Sequence, residues 1–278
     1  MSAEDIYSHV NQRYGQAAHI TDDTNAATVA KAFGYSEADL ANIPKDANLG
    51  LSCGNPLALT TLQPGETVLD LGSGAGLDVF LASSKVGPSG KAIGVDMNEA
   101  MLAKARKLKQ DTGKTNVEFV HARITDIPLP AASVDCITSN CVINLVPEQE
   151  KQAVFCEIAR LLKPGGRVAI SDILANRPLP DEIRSRIDLY VGCVAGASQV
   201  AEYQTYLETA GFKDILITDA QGDLNVYLGT GVDSCCDAGA QAERQGGCCG
   251  KGSGEASAQD LDLNDWVGSY KIFAVKQA

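Results

Sequence analysis

Apolar residues change their spacing near residue 65 of this 278-residue chain. Before that point they recur every three or four positions in short runs, which predicts helices over 6–16, 26–33 and 36–41. Ser36 stands where it would cap the third helix, with Asp39 three residues on to complete a capping box. Beyond Gly65, short apolar runs alternate with amphipathic stretches. Strands are expected over 67–71, 91–96, 117–120, 134–139 and 167–172. Between them come a helix from about Gly76 to Lys85, one carrying Met101, Leu102, Ala105 and Leu108, and one over 149–162. Lys163-Pro164-Gly165-Gly166 reads as a stop and turn after the last of these. Strict strand–helix alternation implies a doubly wound, mostly parallel sheet wrapped by helices.

The final hundred residues depart from that rhythm. Residues 180–210 supply two helical stretches broken near Gly192-Cys193 and Gly196, and 214–218 and 269–275 read as two last strands, an antiparallel pair. Residues 229–259 are poor in large apolar side chains and rich in Gly, Ala and Ser, so a mobile loop is expected there. The chain thus divides into a helical extension (1–50), a core (51–175) and a cap with the final strands (176–278).

Composition narrows the partners. A formal net charge of -12 without Lys/Arg clusters argues against nucleic acid and against an anionic membrane surface. The acidic start lacks the apolar core of a signal peptide, and no stretch is long enough to span a bilayer. Nine cysteines without a secretion signal suit a reducing compartment, so a cytoplasmic protein is expected, and a monomer.

The most specific local pattern is Asp70-Leu71-Gly72-Ser73-Gly74-Ala75-Gly76, at the point where a strand gives way to a helix. Glycines there let the backbone approach a ligand, and the helix start presents N–H groups. The spacing is G-x-G-x-G and not the G-x-G-x-x-G of a dinucleotide turn, and Asp96 ends the second strand, where a carboxylate can accept ribose hydroxyls. Over about 65–220 the chain resembles the class I S-adenosylmethionine-dependent methyltransferases, which implies a seven-stranded Rossmann-like sheet with an antiparallel last strand. The resemblance assigns S-adenosylmethionine to Asp70, Gly72, Ser73, Gly74 and Gly76, to Asp96 and Met97, to Arg123 and Ile124 near the adenine, and to Asn140 near the methionine moiety. Packing under the following helix is the alternative for Met97.

Cysteine by default behaves as a small buried apolar residue, and Cys136 and Cys156 are read as core on that ground. Cys141 lies just past the carboxyl end of the fourth strand, the edge where open α/β sheets bind ligands. Cys193 follows a glycine in the cap, and Cys53 sits in a Gly/Asn/Pro loop unsuited to core packing. The segments Leu51-Ser52-Cys53-Gly54-Asn55-Pro56, Ser139-Asn140-Cys141-Val142-Ile143-Asn144 and Tyr190-Val191-Gly192-Cys193-Val194 resemble the arsenite S-adenosylmethionine methyltransferases from about 48 to 215. That resemblance implies Cys53, Cys141 and Cys193 as catalytic thiolate ligands of arsenic, methylation of arsenite and methylarsenite as detoxification, and an external thiol reductant such as glutathione or thioredoxin. The substrate would be trivalent arsenic, free or as a thiol conjugate. A soft three-coordinate ion held by sulfur suits this chemistry.

Many relatives carry a further cysteine upstream of the Cys53 position, associated with a disulfide to it, and residues 1–52 contain none here. Cys235-Cys236 and Cys248-Cys249 are read as auxiliary arsenic captors, with a structural zinc site or a plain linker as the alternatives. Two other functions stay open: a carbon or oxygen methyltransferase on a lipid or quinone, and a metalloid-binding buffer or sensor.

Overall fold

β1 (Thr67–Leu71) is buried from Val68 onward on both faces, as a central parallel strand covered by helices must be. The computed structural model describes residues 2–19, 23–225 and 262–277. Around β1 stand β2 (Lys91–Asp96), β3 (Val117–His121), β4 (Val134–Asn140), β5 (Leu162–Ala175), β6 (Phe212–Asp219) and β7 (Val267–Lys276), in the order β3-β2-β1-β4-β5-β7-β6. β1 through β5 pair in parallel, while β7 runs antiparallel to both β5 and β6. The doubly wound sheet with its antiparallel last strand is therefore as expected.

Strand alternation sorts the core between the two faces. Val68, Ala92, Val117 and Cys136 pack with Phe80 and Leu81 of α4 (Leu77–Val86) and Leu102 of α5 (Glu99–Thr112). Leu69, Leu71, Ile93 and Ile137 face the other way, onto Phe155 of α6 (Lys151–Leu161) and Tyr203 of α9 (Val200–Thr209). The three N-terminal helices are α1 (Ala3–Ala17), α2 (Asp23–Ala32) and α3 (Glu37–Ala41), and the Ser36–Asp39 capping box closes at α3 as read. No described helix is long and apolar enough to cross a membrane.

Three expectations need correction. Pro164 to Gly166 form no turn between elements: β5 starts at Leu162, and the extra residues make a bulge, because Val134 pairs with Leu162 and Cys136 already with Arg167. Arg167 re-enters the ladder anchored by both oxygens of Glu66, at 2.7 and 2.8 Å. The cap has three helical pieces, α7 (Asp181–Arg184), α8 (Ile187–Val191) and α9, where two were expected. Cys156 is exposed, whereas Cys136 is buried as read. The inward stripe of α6 is Val154, Phe155, Ile158 and Leu161, and residue 156 falls on the opposite side of a 3.6-residue turn. The loop expected over 229–259, with its four cysteines, lies outside the described residues.

The two cysteines should respond differently to the same change. Cys156→Ser should shift unfolding free energy by less than about 0.5 kcal/mol in a urea titration, as surface substitutions do. Cys136→Ser, which places a second hydroxyl beside Thr60 in the core, should cost about 1–3 kcal/mol. Equal costs would contradict the burial of α6.

Candidate active site

Strand order reverses between β1 and β4, and ligands of open α/β sheets bind beyond the strand ends at that switch. The turn leaving β1 holds Gly72, Gly74 and Gly76 at φ of 62°, 52° and 99°. A Cβ on Gly72 would collide with the Val142 methyls, so both conformation and space require glycine there. Asp96 closes the turn from the neighbouring strand: its Oδ2 accepts the Gly74 N–H and its Oδ1 the Asn98 N–H, both at 2.8 Å.

A pocket opens at this point. Asp70, Gly72, Ser73, Gly74, Asp96, Met97, Arg123, Ile124 and Asn140 all line it. Gly76 does not, since it caps α4 with its α-carbon against Phe80 and Phe119. Arg123 turns its guanidinium outward to Glu4 of α1, at 3.1 and 2.9 Å, over the Tyr7 ring. In this structure it latches α1 across the pocket, and Tyr7, Val10, Asn11 and Tyr14 of α1 are part of the lining.

Asp78 and Tyr35 were missed by sequence reasoning. The Tyr35 hydroxyl donates to the Asp78 carboxylate, at 2.8 and 3.0 Å to its two oxygens, and accepts from Asn140 Nδ2 at 2.9 Å. A carboxylate inside the apolar run Leu77–Ala82 was the available signal for Asp78. Tyr35 carried none. Burial pushes Asp78 up to about 6, opposed by its bonds to Tyr35 and Asn140. Asp70 is raised well above the carboxylate range, chiefly by burial and then by the charge of Asp78, although Thr138 donates to it at 2.7 Å.

Of the three predicted arsenic ligands Cys141 lines the pocket, and Cys53 and Cys193 lie behind it, each against Cys141. The Cys53 and Cys141 sulfurs meet, with Cα atoms 5.9 Å apart, a separation that a disulfide can span. The Cys193 thiol donates to the Cys141 carbonyl oxygen at 2.9 Å, and the Tyr14 hydroxyl lies 3.9 Å from the same sulfur. All three cysteines are buried, and burial holds the Cys193 thiol far above its ordinary pKa, with the nearby Asp172 charge adding to it. Cys141 and Cys193 both take positive φ, 57° and 66°, a conformation that costs a non-glycine residue about 1 kcal/mol or more. Asn140 links this cluster to the cofactor end: its Oδ1 accepts the Cys53 N–H at 3.3 Å, and its Nδ2 donates to the Gly54 carbonyl at 2.8 Å.

The chemistry of the lining suits S-adenosylmethionine, a cation. Asp70, Asp78 and Asp96 present carboxyl groups, the one lining guanidinium is paired with Glu4, and the buried Ser73 Oγ has no partner among the described residues. A family model described as a methyltransferase domain matches residues 62–211, and this fixes the general class. The chain is 45% identical over 218 residues to an arsenite methyltransferase of Halobacterium salinarum, covering 74% of this chain and 55% of that protein. An arsenite methyltransferase of Aquipseudomonas alcaligenes is 36% identical over 250 residues, with 80% of this chain and 70% of that protein covered. The crystal structure of an arsenic (III) S-adenosylmethionine methyltransferase from Chlamydomonas reinhardtii superposes with a TM-score of 0.59 at 27% identity, over 90% of this chain and 73% of that one. The chain belongs to the arsenite methyltransferase family. It spans little more than half the length of the Halobacterium relative.

The raised Asp78 carboxyl gives a signed pH dependence. Its charge appears as pH rises through about 6, and a cation bound beside it favours the charged form. S-adenosylmethionine affinity should therefore rise by about tenfold from pH 5 to 7, with proton release on binding measured by calorimetry in two buffers. Asp78→Asn should flatten the profile. In the ligand-free protein the sign reverses: the acid form is favoured by folding, so this group's contribution to stability declines as pH climbs from 3.8 through about 6.

Proposed function

We propose that this chain methylates trivalent arsenic, as arsenite and methylarsenite, using S-adenosylmethionine, holding arsenite on Cys53, Cys141 and Cys193 and methylarsenite, whose methyl group takes one position, on two of them. The observation that carries the reading is the meeting of three sequence-distant cysteines at Cys141, the one of them that lines the cofactor pocket. Arsenous acid is neutral near pH 7, so the net charge of -12 does not repel it. Each thiol displaces one hydroxyl from arsenic, its proton leaving with that hydroxyl as water. No base is needed, which agrees with a Cys193 held in its thiol form by burial. Arsenic on three sulfurs is pyramidal and keeps its lone pair, which is the nucleophile. S-adenosylmethionine supplies an electrophilic methyl group. What the protein contributes is placement: thiols fixed on buried backbone beside the Gly72–Gly76 turn convert an encounter into an oriented reaction.

A disulfide between Cys53 and Cys141 would give an external reductant its role in this reading. Two electrons and two protons from an external thiol pair, glutathione or thioredoxin, restore the two thiols and release an oxidised disulfide partner. A cytoplasmic setting supplies such thiols, and we take the enzyme to act there as a monomer on arsenic free or conjugated to thiols. The cysteine pairs between 229 and 259 lie outside the described residues and add nothing to this reading.

Incubation with S-adenosylmethionine, arsenite and glutathione, followed by arsenic speciation over time, tests it directly. Cys141→Ser and Cys193→Ser should each lose about a hundredfold or more in rate. Near-full activity in either removes that residue from the ligand set. Methylation of a quinone or lipid that survives both replacements favours that acceptor class, and tight arsenic binding without methylated product favours a buffer or sensor.

A further inference from the structure

We infer that Asn144 and Lys151 are positioning residues for Cys193: they clamp the 193–198 segment against the exit of β4 and so set the distance of its thiol from Cys141. The inference rests on the three-thiol reading above and deepens it.

Asn144 follows Cys141 by three residues and is fully buried. Its Nδ2 donates to the carbonyl oxygens of Cys193, at 3.1 Å, and of Ile173 in β5, at 2.5 Å. Its Oδ1 has no hydrogen-bond partner among the described residues. An unpaired buried oxygen is destabilising, and a leucine would fill the same space without it. What the position gains from an amide is its donors, and one of them holds Cys193.

Lys151 repeats the pattern one step further along the cap. Its side chain has no exposure, and its ammonium donates to the Gly196 carbonyl at 2.5 Å, to Ser198 Oγ at 2.7 Å and to Glu148 at 3.1 Å. All three donors of the ammonium are used. Desolvating an ammonium is expensive unless each bond is well made, and here two of the three go to the Cys193 segment. Between these anchors the Gly196 backbone lies directly on the Asn144 carbonyl, where a Cβ would collide.

Local bonds hold the Cys193 backbone to the helix before it, its N–H on the Tyr190 carbonyl and the Val194 N–H on that of Leu189, both at 2.9 Å, but they do not tie it to β4. It sits past the end of the five-residue α8, at positive φ, and its sulfur bonds across the gap to Cys141. A strained conformation persists where surrounding bonds over-determine it. Asn144 and Lys151 supply those bonds from the β4 side, and neither lines the pocket, so both act through Cys193.

The test uses the full chain, reduced, with Asn144→Ala, Lys151→Met and the milder Ser198→Ala. Arsenite affinity, KM and kcat are measured beside S-adenosylmethionine affinity by calorimetry. Asn144→Ala and Lys151→Met should weaken arsenite binding and raise its KM by about tenfold, and Ser198→Ala by about threefold, the loss of roughly one well-made bond or less. S-adenosylmethionine affinity should stay within about twofold, since no contact with its pocket changes. Unchanged arsenite affinity in the two stronger variants overturns the inference. Parallel loss of both ligands reports general unfolding, and then an unaffected Ser198→Ala overturns it. Cys193→Ser separates the two levels. If it keeps arsenite affinity, the ligand reading fails; if it loses affinity while the clamp variants do not, only the positioning role fails.

Discussion

At the end of β4 the chain stops pairing at Asn140 and enters the left-handed region at Cys141, and this one turn decides which groups share the crevice. Because strand order reverses beside β4, its exit faces the glycine turn leaving β1. Three consecutive side chains then reach three different parts. Asn140 holds the Cys53 loop and meets Tyr35, Cys141 reaches Cys53 and offers its carbonyl to the Cys193 thiol, and Val142 fills the space beside Gly72. A register slip of one residue would send each to the wrong neighbour. The pairing of Asn140 with Ser171 in β5, with β1 on the other side of β4, excludes that slip.

The electrostatics follow from the same placement. Asp70 and Asp78 are buried, and each is raised because water is excluded and, for Asp70, because the other lies near. Hydrogen bonds from Thr138, Tyr35 and Asn140 offset part of that cost without removing it. Carboxyl groups held in this state are better satisfied by a bound cation than by the empty pocket. The single guanidinium at the rim does not cancel them, because Glu4 takes it. The acidic composition, which in the sequence spoke against nucleic acid and an anionic membrane surface, thus has a local counterpart in the pocket.

What was legible in the sequence was what local rules determine. The change in apolar period located the parallel sheet, and the glycine turn and Asp96 located the pocket, since strand–turn–helix geometry is a short-range matter. Cys156 was legible too and was misread: the stripe of Val154, Phe155, Ile158 and Leu161 leaves it outside. Lys163-Pro164-Gly165-Gly166 did end a helix, but the next residues were caught at once by β4, and a turn signal cannot tell a connection from a bulge. The partner of Cys53 was beyond reach. Its loop is set by contacts such as Ser269 Oγ donating to the Cys53 carbonyl and Gly54 packing on Ser171, across more than a hundred residues of chain. Asn144 and Lys151 belong to the same category, for their partners lie on a segment whose path no local pattern dictates.

The site is consequently held with unequal firmness on its two sides. Its roof is α1, tied down by Arg123 to Glu4, by the Tyr7 hydroxyl to Glu150 at 2.6 Å and by Asn98 to Asn11. The ion pair among these is largely exposed, and such pairs contribute at most about 1 kcal/mol. The floor is held by Asn140 and, from behind it, by Asn144 and Lys151, whose bonds run to buried backbone and cost much more to break. Local opening therefore favours the roof over the floor. The proposed three-sulfur arsenic site would need its sulfurs to keep one geometry while ligands differ in size and charge, and this arrangement suits it: the sulfurs are fixed from below, by groups that no movement of α1 has to disturb.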